Sequence, residues 1–186
     1  MLKQITTAAA ALLLAMPGMA ETAPKTGTWE DHQRLWLAIA STGTVVRINS
    51  PGCFGDDAPM GYYAHDNQGN SEFVVCQDNA KNSNEVDWTD NDLDTLRHEA
   101  VHLIQDCADG VRADGRLSPL GSSQEILALV DRSIGRERAQ RIIEIYRENG
   151  LQSASGLMSE VEAFAAADSV SAATLTEMVA EACAAG

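Results

Sequence analysis

The segment that most constrains this chain is His98-Glu99-Ala100-Val101-His102, in which two histidines stand four residues apart. On an α-helix, residues i and i+4 lie on one face, so both imidazoles can reach one metal ion. Glu99 is rotated by about 100° from His98, which directs its carboxylate to the edge of such a site. The flanking positions are uncharged or apolar except Arg97, which falls on the opposite side of the helix. The pattern predicts a buried metal-binding helix, because a solvated surface helix would leave the apolar stripe unexplained.

The first twenty residues have the pattern of a secretory signal peptide. Lys3 supplies a positive charge, residues 8–16 are apolar, and Gly18-Met19-Ala20 is a small-x-small cleavage site. The apolar run is too short to span a bilayer. We therefore expect a single domain over residues 21–186, exported to the periplasm or secreted, monomeric, and without stable membrane insertion after cleavage. The net charge of −14 at pH 7 argues against nucleic acid as a partner.

The four cysteines of the chain are Cys53, Cys76, Cys107 and Cys183. An even number in an exported protein predicts two disulfides, for which three pairings are possible. We prefer Cys53–Cys76, which closes a local loop, and Cys107–Cys183, which ties the C-terminal helix to the motif helix. A cysteine-rich metal site is the alternative, and the absence of a Cys-x-x-Cys spacing disfavours it.

Periodicity and turn residues predict an α+β fold. A short antiparallel sheet with a β-hairpin is followed by the motif helix and a helical C-terminal part. The predicted strands cover 44–48, 62–65 and 72–76, and the predicted helices cover 29–41, 90–109, 122–133, 136–148, 160–168 and 172–184. Asp90 or Asn91 is expected to cap the motif helix, Gly110 to end it, and Ser159 to cap the helix at 160–168.

A catalytic zinc ion usually has three protein ligands and one open position, so the two histidines need a partner. Gln105 and Ala108 occupy the positions at which a longer motif would have glycine and a third histidine, which excludes that class. A carboxylate from a later helix is the better candidate, and Glu160 and Glu162 stand among small and apolar residues. They are two residues apart, so at most one can ligate comfortably. In the alternative interpretation, both are first-turn acids that complement the helix dipole.

The motif and the residues around Glu160 resemble the zincin metallopeptidases of the gluzincin kind, in which a glutamate on a following helix completes the site. Members commonly carry Glu-x-x-Ala. Glu160 and Ala163 match this pattern, which favours Glu160 as the third ligand. Others carry Glu-Ala or Glu-Gly, which favours Glu162 as a close alternative. Phe164 and the alanine at position 166 depart from both forms. The resemblance also gives Asp168 the role of orienting one histidine.

The resemblance implies one Zn²⁺ ion and the hydrolysis of a peptide or protein substrate. Zinc lowers the pKa of its water to about 7, and Glu99 acts as the general base. The candidates for stabilising the developing oxyanion are Tyr62, Tyr63, His65 and Tyr146. In zincins the edge strand before the motif helix binds the substrate backbone, and residues 72–76 are expected to take that place.

The alternative function is a secreted, non-catalytic protein. It would be a zinc-stabilised binding module or an inactive relative that keeps the zincin fold. A purely structural zinc ion usually has four protein ligands and gains nothing from an adjacent carboxylate such as Glu99, so the peptidase is preferred.

Overall fold

The structure is a computed structural model that describes residues 26–66, 68–82, 84–108 and 116–184. The described helices and strands are α1 Trp29–Ser41, β1 Val45–Ile48, β2 Gly61–His65, β3 Ser71–Val75, α2 Asp90–Cys107, α3 Ser123–Arg132, α4 Gly135–Glu148, α5 Ala154–Ser169 and α6 Ala172–Ala182, with a short 3-10 helix at Pro51–Cys53. The predicted signal peptide and Gly110 lie outside the described residues. None of the helices in the described ranges is long and apolar enough to span a bilayer.

The α+β class is confirmed, but the sheet is mixed rather than antiparallel. Its strand order is β1-β3-β2. Strands β2 and β3 form the predicted antiparallel hairpin, whereas β1 runs parallel to β3. The central strand is the most buried of the three, since Phe73, Val74 and Val75 of β3 are all fully buried. The expectation that residues 72–76 form an edge strand is therefore wrong, and β2 is the edge that adjoins the motif helix.

Helix α2, which carries the motif, lies at the centre of the molecule. Every residue from Thr95 to Cys107 is buried, and α2 packs against α1, α5, α6 and the sheet. Four alanines of α5, at positions 163, 165, 166 and 167, are buried. Small side chains let two helices approach closely, so α5 can bring its polar groups close to the motif.

Two helix starts differ from the predicted positions. Helix α2 is capped by Thr89 rather than by Asp90 or Asn91. The Thr89 hydroxyl accepts from Asp92 N at 3.1 Å, and the Asp92 carboxylate accepts from Thr89 N at 2.8 Å. Helix α5 begins at Ala154, capped by Ser153, so Ser159 is not a cap. Glu160 and Glu162 are thus interior residues of α5, which rules out their interpretation as first-turn acids.

Both preferred disulfides occur in the structure. Cys53–Cys76 joins the loop after β1 to the end of β3 across 23 residues. Cys107–Cys183 joins the end of α2 to the end of α6 across 76 residues. A cross-link stabilises a fold mainly by restricting the unfolded chain, and the longer loop restricts it more. The second disulfide therefore fastens the motif helix to the C-terminal part of the chain.

Arg97 lies opposite the two motif histidines, as predicted, but it is buried. Its guanidinium donates from Nη1 to His32 Nε2 at 2.6 Å, from Nε to Ala167 O at 2.8 Å and from Nη2 to Asp94 Oδ1 at 2.9 Å. His32 is also buried, and its Nδ1 lies 2.7 Å from Thr28 O. A buried charge needs such partners, and Arg97 thereby links α1, α2 and α5.

Candidate metal centre

His98, His102 and Glu160 converge on one point. The Nε2 atoms of the two histidines are 3.1 Å apart. The Glu160 Oε2 atom lies 3.4 Å from His102 Nε2 and 3.6 Å from His98 Nε2. Ligand atoms around a tetrahedral zinc ion with bonds of about 2.0–2.1 Å lie about 3.3–3.4 Å apart. The triangle formed by His98 Nε2, His102 Nε2 and Glu160 Oε2 therefore has the size that one such ion requires.

The hydrogen bonds of His102 leave Nε2 available for a metal ion. Its Nδ1 lies 2.8 Å from Gln105 Oε1. The Gln105 amide nitrogen donates to Ser159 O at 3.0 Å and to Glu162 Oε2 at 2.9 Å, so the amide oxygen faces His102 as an acceptor. The Nδ1 atom must then carry the proton, and in the neutral ring Nε2 has a lone pair directed at the triangle. This is the usual arrangement of a histidine that ligates a metal.

Two atoms of the site have unmet hydrogen-bonding capacity within the described part of the chain. They are His98 Nδ1 and Glu160 Oε2, both buried. Such atoms are rare in folded proteins, because losing water without gaining a partner costs about 1–3 kcal/mol. For Glu160 Oε2, which belongs to the triangle, a cation is a fitting partner.

Charges reinforce the pairing of the histidines with Glu160. Burial lowers the pKa of His102, but the nearby carboxylates of Glu160 and Glu99 outweigh burial and raise that pKa to about 9. Burial raises the pKa of Glu160, but His102 and His98 outweigh it and hold that pKa well below its usual range. The negative potential that favours a proton on His102 also favours a metal cation in its place.

Glu99 lies beside the triangle, as the helical spacing predicts. One of its carboxylate oxygens and the two histidine ligand atoms all lie within 4.8 Å of one another. Strand β2 passes next to Glu99 at Gly61. A Cβ atom on Gly61 would lie 2.5 Å from Thr95 Cγ2, 2.7 Å from Val74 O and 3.3 Å from Glu99 Cγ. Glycine at this position thus allows the edge strand to lie directly against the motif helix.

The four oxyanion candidates divide into two pairs. The Tyr62 hydroxyl donates to Glu72 Oε2 at 3.2 Å, and the Tyr63 hydroxyl donates to Asp106 Oδ2 at 2.6 Å, so both are engaged elsewhere. Burial raises the pKa of Tyr146, and the charges of Glu160 and Glu99 raise it further. Tyr146 therefore keeps its proton, and its ring centroid lies 6.2 Å from that of Phe164, which packs against His98.

The second candidate near the ligands is His65. It lines a cleft of about 520 Å³ together with Glu160, Arg116 and four serines. Next to the triangle, the ring of His98 packs against Phe164, with the two ring centroids 4.3 Å apart. The cleft is large enough for a substrate side chain next to the triangle.

Glu162 and Asp168 are not at the triangle. The Glu162 carboxylate accepts from Gln105 Nε2 at 2.9 Å, from Leu120 N at 2.8 Å and from Gly121 N at 2.8 Å. Burial lowers the pKa of Arg97, and the charges of Asp94 and, to a smaller extent, Asp168 oppose that lowering, so Asp168 acts on the Arg97 side of α2. The partner that orients His102 is Gln105, which the sequence analysis did not identify, although its i+3 spacing from His102 places both on one face of α2.

Comparison with curated proteins and with solved structures finds no match. One family model, described as a domain of unknown function (DUF8637), matches residues 30–183. The matched span contains the motif, Glu160 and all four cysteines. The chain therefore belongs to the DUF8637 family.

Proposed function

We propose that this protein is an exported zinc-dependent metallopeptidase of the zincin type. The observation that supports this most is the convergence of His98 Nε2, His102 Nε2 and Glu160 Oε2 within 3.1–3.6 Å, with the Glu99 carboxylate beside them. Three protein donors and an adjacent general base are the donor set of a catalytic zinc site. The two disulfides are in keeping with export to an oxidising compartment.

His98, His102 and Glu160 would hold the ion. When bound, zinc supplies a Lewis acid that polarises a carbonyl and lowers the pKa of water to about 7. Glu99 accepts a proton from the attacking water and delivers it to the leaving amine. Gln105 holds the His102 ring in the tautomer that ligates.

Tyr146 is the better of the two remaining oxyanion donors. Its hydroxyl stays protonated because burial and the charges of Glu160 and Glu99 raise its pKa. A neutral hydroxyl beside the ligands can donate to the oxygen on which negative charge develops. His65, which lines the adjacent cleft, is the second candidate.

The peptide substrate is expected to pair with β2 rather than with β3. Strand β2 is an edge of the described sheet and lies against α2 at Glu99. An extended peptide that adds to this edge would run past the general base and the triangle.

The test compares metal content and hydrolysis in matched variants. Wild-type protein stripped with a chelator and reloaded should bind one zinc ion and cleave an unfolded casein-type substrate. Glu99→Gln should keep the zinc and lose activity by about 10²–10⁴-fold, because only the base is removed. Glu160→Gln should lose zinc, whereas Glu181→Gln, an exposed acid on α6, should change neither.

The outcomes separate the alternatives. Hydrolysis by Glu99→Gln at the wild-type rate would overturn the assignment of the base. One bound zinc ion with no hydrolysis of any peptide in a broad library would favour the non-catalytic binding module. A zinc stoichiometry near zero in the reloaded wild type would overturn both.

A further inference from the structure

All three tryptophans of the chain line one cleft of about 430 Å³. Trp29 and Trp36 come from α1, and Trp88 precedes α2. Leu96 also lines the cleft, and it lies about 200° around the helix from His98. The cleft is thus on the opposite side of α2 from the candidate metal centre and is independent of the proposed peptidase function.

The three indole rings form one packed group. The centroids of Trp29 and Trp88 are 5.6 Å apart, and those of Trp36 and Trp88 are 6.0 Å apart. Trp36 also packs edge-on against Phe73, a fully buried core residue, at 5.9 Å. The group is therefore anchored in the core, while Trp29 keeps 41% of its surface exposed. Large, exposed aromatic surface of this kind is typical of binding sites.

The one charged side chain among the described residues that line the cleft is acidic. It is Glu85, and the Glu85 carboxylate accepts a hydrogen bond from Trp88 Nε1 at 3.1 Å. Two further exposed acids, Glu30 and Asp87, adjoin Trp29 and Trp88 in the sequence. No lysine or arginine is among the described residues that line the cleft. A carboxylate beside aromatic rings attracts a cation and repels an anion.

We propose that this cleft binds a small quaternary ammonium cation of the choline type. Such a cation has no N–H groups, so it needs an aromatic surface and a nearby negative charge but no set of acceptors. A sugar or a primary ammonium group would need several hydrogen-bond partners, and Gln33 and Glu85 are the main polar groups that the cleft offers besides His32. Both nitrogens of His32 are already bonded, to Thr28 and Arg97.

The ligand is the free cation rather than a lipid head group. A cleft of this volume suits a small molecule. Membrane-surface binding usually involves a basic amphipathic helix, and α1 instead has acids in its first turn and no basic residue in its last.

The tryptophans themselves report binding, because every indole of the protein borders the cleft. Choline titrated into the full chain should change the intrinsic fluorescence with saturation at a Kd of about 1 mM or below. The neutral isostere 3,3-dimethylbutan-1-ol has the same shape without the charge and should bind about tenfold more weakly. Equal affinity for the two compounds, or no saturation with choline, would overturn the proposal.

Variants locate the site. Trp29→Leu should weaken choline binding about tenfold, and Glu85→Gln should weaken it several-fold. Both residues are exposed, so the fold should persist, as near-UV circular dichroism would verify. Glu148→Gln on α4 is the charge-matched control and should bind like the wild type. Unchanged affinity in both cleft variants would overturn the location, and sedimentation with phosphatidylcholine vesicles without choline binding would overturn the free-cation assignment.

Discussion

Buried histidines lie on both sides of helix α2, and the hydrogen bonds of their ring nitrogens differ between the two sides. On one side, His32 donates from Nδ1 to Thr28 O at 2.7 Å and accepts at Nε2 from Arg97 at 2.6 Å. On the other side, the His102 Nδ1 atom lies 2.8 Å from Gln105 Oε1. The His102 Nε2 atom lies 3.1 Å from His98 Nε2 and 3.4 Å from Glu160 Oε2.

The comparison shows that burial of a histidine does not by itself indicate a ligand site. His32 and His102 are almost equally buried, at 1% and 5% exposed. The difference is that Arg97 donates to the acceptor nitrogen of His32, whereas His98 Nε2, His102 Nε2 and Glu160 Oε2 converge on one another and need a shared proton or a metal cation between them. Buried acceptors without donors favour an added cation. Zinc should therefore change the stability of the second site and leave the first unaffected.

The largest effect is expected from Arg97→Met. The substitution removes the partner of Asp94 and leaves two buried acceptors, His32 Nε2 and Ala167 O, without their donor, at a cost of about 1–3 kcal/mol each. Urea denaturation should show the same loss of unfolding free energy with and without zinc.

Arg34→Met is the control for Arg97→Met. Arg34 pairs with Asp31 on the surface of α1, so its removal should cost less than about 1 kcal/mol. If added zinc restored the stability of Arg97→Met, the two sides of α2 would be energetically coupled. That result would contradict the prediction that zinc leaves the His32 site unaffected.

The second effect is the stabilisation by zinc itself. At free zinc of about 1,000 times Kd, the wild type should gain about 4 kcal/mol of unfolding free energy. His102→Ala should lose this gain because a ligand is removed. His32→Gln should be less stable than the wild type but keep the full gain. Thermal denaturation with zinc and with a chelator measures both, and a gain that His102→Ala keeps would contradict the assignment of the ligand.

Much of the motif side of α2 follows from the sequence. The spacing of His98 and His102 and the uncharged flanks predict a buried helix with both histidines on one face, and α2 has this form. The disulfides could be chosen because one pairing closes a short local loop and the other joins two predicted helices. These features depend on local periodicity or on short separations along the chain.

The features that the sequence left open or did not predict depend on tertiary packing. Glu160 and Glu162 have equivalent sequence surroundings, and their roles differ only because the loop at Leu120 and Gly121 binds Glu162. The order of the strands does not follow from their composition, because β1 (VVRI) is at least as apolar as the central β3 (SEFVV). The tryptophan cleft assembles residues that are up to 67 positions apart, from Trp29 to Leu96. No local pattern in the sequence encodes these long-range choices.

A smaller effect tests the partner of His102. Gln105→Met keeps the length of the side chain but removes the oxygen that accepts from His102 Nδ1, so zinc affinity should fall about 10–100-fold. Competition with a fluorescent zinc chelator measures the change. Gln77→Met is the matched control, because Gln77 is an equally satisfied buried glutamine that bonds to Asn49 and Val86. A similar loss of zinc affinity in both variants would indicate general destabilisation rather than lost orientation of His102.

The smallest effect is the pH dependence of the His32 site. Burial lowers the pKa of His32, and the charge of Arg97 lowers it further, against the opposing hydrogen bond to Thr28 O. The unfolded chain takes up this proton near pH 6.5, before the folded protein does. The contribution of His32 is therefore present above pH 6.5 and is lost as the pH falls through the folded-state pKa. With a chelator present, the difference in unfolding free energy between wild type and His32→Gln should narrow from pH 7.5 to pH 5.5. A difference that stays constant would show that His32 does not titrate in this range. A difference that widens would show that folding raises the pKa of His32, opposite to the direction that its contacts predict.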